Sequence, residues 1–178
     1  MKLMLRIFLA VLICASGAFA QAEKPPADIV KNEVVDKTQI DTFKKEAGPL
    51  QAAIEDSVNS ALPGAGVLEH AKATYLDGYG VVVSLEASLE PALTPFSTTR
   101  SPAQLKSLMN EKKNLVQQKL ETLLKDRLVK LQCLGEADSL TIALHLFNAN
   151  PVDISNFPAQ LQFTVKKQDP THVILREF

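Results

Sequence analysis

The sequence predicts a two-layer α+β fold, in which a mixed or largely antiparallel sheet of about four to five strands carries helices on one face. Apolar and polar residues alternate near 71–75, 81–90, 139–146 and 160–166, a pattern typical of strands with one exposed face. Helical apolar stripes precede and separate these strands. Because such strands suit a sheet covered on one side only, we expect the helices to share a face. The strands near Val81 and Leu140 are expected to form a right-handed crossover pair.

One long helix is predicted from about 102 to 134. Ser101 is a suitable N-cap, Pro102 a suitable first helical residue, and Gln104 can complete a capping box. Apolar residues recur at helical spacing as far as Leu131, and Gly135 is expected to end the helix as a left-handed residue. Four lysines are expected to lie mostly off this apolar stripe: Lys112, Lys113, Lys119 and Lys125.

A tight hairpin is predicted at YLDGYG, residues 75–80. A two-residue turn would pair Leu76 with Tyr79 and set polar residues of the first strand beside the apolar face of the second. A three-residue loop over 76–78 instead pairs Tyr75 with Tyr79 and keeps the apolar residues of both strands together. We therefore predict the longer loop, with Gly78 in the left-handed conformation.

Proline and glycine indicate the remaining boundaries. A short helix is expected between 29 and 43, and Gly48-Pro49 is expected to separate it from a second helix over 50–61. Loops are predicted at 93–100 and 148–158. A turn at 168–170 is expected to precede a last strand over 172–175.

The first 20 residues have the pattern of a signal peptide. Lys2 and Arg6 precede an apolar run over 7–15, and Ala18-Phe19-Ala20 provides a cleavage site, so the mature chain is expected to begin at Gln21 and to be exported. The apolar run is too short for a membrane span. Residues 21–37 are expected to form a flexible leader and 38–178 one domain. The mature chain would carry 17 cations and 20 acids, a net charge of −3, which argues against nucleic-acid binding.

No motif indicates a metal or a cofactor. His70, His145 and His172 stand outside any metal-binding spacing. Cys133 is the one cysteine left after cleavage, and its leucine neighbours favour a small buried side chain over a nucleophile or an interchain disulfide.

The most specific catalytic arrangement that the residues allow lies on the exposed face of the sheet. It places His145 as base beside Glu86 or Glu90, with Ser84 or Ser88 as nucleophile. Strand alternation alone would place these residues on an exposed face, and the G-x-S-x-G pattern of α/β hydrolases is absent. The sequence therefore assigns no catalytic, cofactor-binding or metal residue.

The stretch YLDGYGVVVSLEASL, residues 75–89, is similar to a set of uncharacterised exported bacterial proteins with a Y-L-x-G-Y-G segment. This resemblance implies a bacterial, exported protein and no particular activity. We expect a non-enzymatic binding or interaction module of the cell envelope, which contacts a protein partner or a second copy through the long helix or the open sheet face. The alternatives are a small periplasmic hydrolase that uses His145 with a sheet-face glutamate, and a carrier of an apolar ligand held between helices and sheet.

Overall fold

A computed structural model describes residues 37–90, 100–147 and 156–178. Its elements, in chain order, are α1 Lys37–Ala61, β1 Gly66–Leu76, β2 Gly80–Ser88, α2 Pro102–Leu128, β3 Ser139–Phe147, β4 Gln160–Lys166 and β5 Asp169–Glu177. The predicted signal peptide, leader and loops at 93–99 and 148–155 lie outside the described residues.

The five strands form one mixed sheet in the order β1-β2-β3-β4-β5. The strands β2 and β3, which α2 connects, run parallel, whereas all other neighbours run antiparallel. The predicted α+β class, the mixed sheet and the pairing of the strands near Val81 and Leu140 are therefore confirmed. The last strand is longer than predicted, because β5 begins at Asp169 and includes Pro170. A proline is tolerated there because β5 is an edge strand.

An apolar core fills the space between the two helices and one face of the sheet. Ile54 and Val58 of α1 and Val116 and Leu120 of α2 are fully buried. Burial of such side chains contributes about 1.5–3 kcal/mol each. The buried apolar residues of the strands alternate along the chain and include Val81, Val83, Leu85, Leu140, Ile142, Leu144, Leu161, Phe163 and Val165.

Helix α1 continues through Gly48-Pro49, so the break predicted there is wrong. A proline inside a helix removes one backbone hydrogen bond and crowds the preceding turn. Contacts on both sides of Pro49 offset this cost. Before it, the Phe43 ring packs on Tyr75 with ring centroids 5.9 Å apart, and after it, Leu50 is buried in the core. Tertiary packing therefore holds one helix where the local sequence predicts two.

The β1–β2 hairpin has a three-residue loop, but its position differs from the prediction. Leu76 pairs with Gly80, and the Tyr79 N–H donates to the Leu76 carbonyl over 3.1 Å, so the loop is 77–79. The predicted pairing of Tyr75 with Tyr79 is wrong, since Tyr75 pairs with Val81. The displacement is two residues, and the apolar residues therefore still share a face, as predicted. Gly78 is left-handed, with φ of 68°.

Gly80 explains where β2 starts. Its φ is 116°, and a Cβ atom at this position would overlap the carbonyl oxygen of Ser139 on β3. The Ser139 N–H also donates to the Tyr79 carbonyl over 2.8 Å. The hairpin register is thus determined by the approach of β3, a contact that hairpin sequence patterns do not include.

Helix α2 begins as predicted and ends earlier. Ser101 and Gln104 form the capping box: the Gln104 N–H donates to the Ser101 hydroxyl and the Ser101 N–H to the Gln104 side chain. The helix has 27 residues and ends at Leu128, not near 134. Gly135 does not terminate it. Instead, Gly135 forms a turn with Asp138, whose carboxylate accepts the Gly135 N–H over 2.8 Å.

The segment 131–134 leaves the helix because charged side chains from other elements bind its backbone. Glu46 of α1 accepts the N–H groups of Gln132 and Cys133 over 2.9 and 3.1 Å. Lys167, between β4 and β5, donates to the carbonyls of Leu131 and Leu134 over 3.0 and 2.6 Å. These bonds replace helical ones, so the segment remains packed without being helical.

The position of Lys112 on α2 also differs from the prediction. It was expected off the apolar stripe, yet it is 9 % exposed and lies one helical turn from the buried Met109 and Val116. Burial is the largest cause of a lowered Lys112 pKa, and the nearby positive charge of Arg100 lowers it further. Lys112 can belong to the apolar stripe of α2 because the four methylene groups of its side chain pack like an aliphatic side chain.

Candidate functional site

The face of the sheet that points away from the core residues is called here the open face. Strand pairing arranges its side chains in rows across the strands. The central row is Thr74, Val82, Thr141, Thr164 and Ile174. The next row is Lys72, Ser84, Ala143, Gln162 and Arg176, followed by Glu86, His145 and Gln160. The middle of the first two rows is therefore uncharged, whereas the third row has Glu86 on β2 beside Glu69 on β1.

Polar side chains of the hairpin loop and of two strands, β3 and β4, are linked on the open face. Tyr79 and Thr141 share a hydrogen bond of 2.7 Å, Thr141 and Thr164 one of 3.0 Å, and Gln162 donates to Thr164 over 3.5 Å. Thr141 is only 3 % exposed and Ser139 is also buried. The prediction that this side of β3 is fully exposed is therefore wrong at these two positions. The neighbouring strands and Tyr79 cover them.

Exposed apolar residues concentrate on the same side. Eight large apolar side chains are exposed in the described ranges, and five of them lie on the open face or at its edge: Leu68, Leu76, Tyr79, Phe147 and Ile174. The helix α2 contributes Leu115, whereas Val129 and Phe178 lie at its end and at the chain end. The apolar exposure of this part of the chain is therefore a property of the sheet more than of the long helix.

A cleft of about 290 Å³ lies at one end of the open face. Ser88 pairs with Gly66 on one side and with Phe147 on the other, so the cleft continues the open-face rows. Leu68 and Phe147 supply apolar walls, and Glu90 is the one charged residue among the described lining residues. Clefts of this size are at the lower end of the range for ligand sites.

The loop between α1 and β1 forms another wall of the cleft. Gly64 and Gly66 have φ of 78° and 126°, and a Cβ atom on Gly66 would overlap the Asn59 side chain. The same Asn59 side chain accepts the Val67 N–H over 3.0 Å. Glycine is therefore required where the chain turns closely around the end of α1, and this turn places residues 64–67 along the cleft.

Glu90 is held in place by the strand end. The Ser88 hydroxyl accepts the Glu90 N–H and donates to the Glu90 carbonyl, both over 3.1 Å. In the Glu90 side chain, Oε1 is closed off from solvent and has no hydrogen-bond partner. A carboxylate oxygen in such a position lacks the stabilisation that buried charges require.

The catalytic arrangement considered from the sequence is only partly assembled. Glu86 and His145 pair in register on the open face, and Ser84 lies one row away. Among the hydrogen bonds and ion pairs between described residues, none joins Glu86 to His145. The hydroxyl of Ser88 is used by the backbone of Glu90. Glu90 itself lines the cleft, beyond the row that contains His145.

Cys133 is buried, as predicted, with 1 % exposure. Burial, followed by the hydrogen bond and negative charge of Glu46, raises the pKa of its thiol to about 12. A thiol with this pKa remains protonated at neutral pH and is a weak nucleophile.

The other two histidines lie on β1 and β5. His70 is within 3.2 Å of Glu55 of α1, and the same carboxylate accepts the Ala71 N–H over 2.7 Å. That backbone bond is the largest cause of the lowered Glu55 pKa. His172 is exposed on β5. In the described ranges, no three His, Cys, Asp or Glu side chains converge to hold a metal ion.

The two tyrosines of the hairpin serve opposite faces. Tyr75 packs against Phe43 and donates its hydroxyl to Gln39 of α1, whereas Tyr79 joins the hydroxyl chain of the open face. No sequence pattern indicates the cleft, because its walls come from three separate strand ends. The glycines at 64 and 66 were the one local signal of a close backbone turn.

Fold and surface together define a two-layer α+β protein with an open sheet face that ends in an apolar cleft. Neither described helix combines the length and the apolar character that crossing a membrane requires. No protein-family model matches the chain, and no curated protein or solved structure matches it either. The resemblance of residues 75–89 to exported bacterial proteins stays a prediction.

Proposed function

We propose that the protein is an exported, non-enzymatic interaction module of the bacterial cell envelope, and that it binds a protein partner through the open face of its sheet. The observation that carries this proposal is the distribution of exposed apolar residues, five of eight of which lie on or beside the open face. Leu68 and Phe147 lie at one end of that face and Leu76 and Tyr79 at the other. Apolar exposure that gathers on one face of a domain is what an interaction surface would present. The signal-peptide pattern of residues 1–20 supports export.

Two further features of the open face support a protein partner. The middle of the surface carries no charge over the rows of Val82 and Ala143, and charges such as Lys72 and Arg176 lie at its two edges. Interface centres are depleted in charged residues, whereas interface rims are polar. The hydroxyl chain fixes the Tyr79 side chain, so less conformational entropy is lost when a partner covers it.

The long helix is the weaker alternative. Its apolar stripe packs on the core through Met109, Val116, Leu120, Leu124 and Leu128. At 1.5 Å per residue, its 27 residues span roughly 40 Å, which is shorter than the sequence predicts. Leu115 is the large apolar residue that this helix leaves exposed between its ends. An apolar carrier site between helices and sheet has less support, because the hollow of about 340 Å³ between α1 and β1 is also lined by the charged residues Lys44 and Asp77.

Native mass spectrometry of the protein purified from its own envelope tests the proposal. We expect a complex with a partner chain, and a mature chain that begins at Gln21. Ala143→Lys places a charge in the middle of the open face and is expected to abolish the complex. The matched control is Asn114→Lys on the exposed side of α2, which should leave the complex intact.

The two variants also separate the two candidate surfaces. Loss of the complex in Asn114→Lys, with retention in Ala143→Lys, would move the interface to the helix. A bare monomer from the envelope would contradict the interaction function. That result would favour the hydrolase alternative. The criterion for it is hydrolytic turnover that disappears in His145→Ala while the fold survives.

A further inference from the structure

We propose that the cleft beside Glu90 binds the ammonium group and aliphatic stem of a lysine side chain from the protein that covers the open face. This inference rests on the proposed function, because it names what the partner must insert at one end of that face. Three observations support it: the charge in the cleft, the shape of its walls, and its position.

Among the described residues that line the cleft, the carboxylate of Glu90 has no counter-charge. Glu90 is the one charged residue among the described lining residues, and the ion pairs of the described residues do not include it. Its Oε1 atom is enclosed and without a hydrogen-bond donor. Because Oε1 is enclosed, a cation in the cleft would be bound by the other carboxylate oxygen, and it would stabilise the negative charge that both oxygens share. A cation is therefore the complementary ligand.

The walls indicate what carries that cation. Leu68 and Phe147 are exposed apolar residues, 54 % and 46 % accessible, and residues 65–67 add small and aliphatic surface. A free inorganic cation would gain nothing from such walls. A lysine side chain fits, because its methylene groups cover apolar surface while the ammonium remains at a polar group. Arginine fits less well, since its planar fork needs two accessible acceptor oxygens and Oε1 is enclosed.

The position connects the cleft to the interface. Ser88 and Phe147 form the next open-face row beyond Glu86 and His145. A partner that covers the open face therefore reaches the cleft without a gap. A long side chain at its margin can enter the cleft, where its methylene groups would cover the apolar walls.

The test uses n-butylammonium chloride, which reproduces the stem and head of lysine, titrated into the mature protein and followed by ¹H–¹⁵N NMR. We expect a dissociation constant on the order of 1 mM, as a ligand of so few atoms allows. The shift changes should be confined to Leu68, Ser88, Glu90 and Phe147. The neutral analogue 1-butanol should bind about tenfold more weakly, since it lacks the charge-assisted bond.

Glu90→Gln is the variant that isolates the charge, because it preserves size and shape. It should weaken butylammonium binding about tenfold and leave butanol binding unchanged. The control is Glu86→Gln, which removes an open-face carboxylate outside the cleft and should change neither. Equal binding of butylammonium and butanol to the wild type would overturn the inference, and that comparison needs no variant.

The partner complex separates this inference from the proposed function. With both correct, Glu90→Gln weakens the complex about tenfold in dissociation constant. A complex of unchanged affinity in Glu90→Gln leaves the proposed function intact and overturns the lysine assignment. Butylammonium binding by a protein that forms no partner complex would contradict the proposed function, and it would identify a free amine as the occupant.

Discussion

The two faces of the sheet are built from alternate residues of the same strands, yet they are stabilised differently. The face toward the helices consists of branched and aromatic side chains such as Val83, Ile142 and Phe163, all fully buried. The open face carries Ser84, Ala143 and a chain of hydrogen-bonded hydroxyls. The face toward the helices therefore stabilises the fold through apolar burial. The open face is ordered by hydrogen bonds between neighbouring side chains, and its surface remains available for contacts.

Neighbouring residues of β3 provide the strongest test of this difference. Leu144 is fully buried on the helix side, and His145 follows it on the open face. We expect Leu144→Ala to lower the free energy of unfolding by about 3 kcal/mol, because it leaves a cavity in a packed core. His145→Ala should change it by less than about 0.5 kcal/mol. Urea unfolding of both variants measures the contrast.

Equal losses in the two variants would contradict the division between the faces. A large loss in His145→Ala would mean that the open face is covered within the folded chain. The proposed interaction surface would then have to be placed elsewhere.

The hydroxyl chain predicts an effect of intermediate size. Thr141→Val removes the partner of both Tyr79 and Thr164 at a position that is 3 % exposed. We expect a loss of about 1–2 kcal/mol in the free energy of unfolding, because the Tyr79 hydroxyl loses its bond to Thr141 and Thr164 keeps only the longer bond from Gln162. Tyr79→Phe is the milder control, since Thr141 retains Thr164. A more stable Thr141→Val protein would show that the chain serves binding and not folding.

The smallest effect concerns Glu55, through which α1 binds the edge strand β1. Its pKa is lowered from 4.5, chiefly by the Ala71 N–H, so its contribution to stability is present above pH 4.5 and is lost as the pH falls through the lowered value. Glu55→Gln keeps an acceptor but no charge. We expect it to cost about 1 kcal/mol or less at pH 7, since the carboxylate is partly solvated.

Unfolding curves of the wild type and Glu55→Gln between pH 3 and 7 provide the measurement. The difference between the two proteins should shrink toward zero as the pH falls. A difference that stays constant with pH would assign the effect of the substitution to packing and not to charge.

Much of the fold could be predicted because the sheet has only one buried face. Alternation identified the strands, and the cap at Ser101 identified the start of α2. The errors occur where distant contacts outweigh local sequence: Pro49 is held by packing on both sides, and Gly80 is placed by Ser139. The end of α2 at Leu128 depends on Glu46 and Lys167, which are remote in sequence.

The candidate site was less predictable for the same reason. Alternation placed Glu86 and His145 on a shared face, and the parallel pairing of β2 and β3 put them in one row. No local pattern could indicate that Glu90 would lie in a cleft, because Leu68, Ser88 and Phe147 come from three strands. The cleft forms only where these distant strand ends come together. The sequence of a single strand end therefore does not predict it.

The bonds to residues 131–134 also make the ordering of this segment depend on two other parts of the chain. The Gln132 and Cys133 amides are bonded to a carboxylate on α1, and the flanking carbonyls to an ammonium near β5. The first set can form only after α1 has docked, and the second only after the turn between β4 and β5 has docked. Hydrogen exchange at these two amides therefore reports the docking of α1, and exchange as slow as that of the core strands would show that α1 opens only in global unfolding.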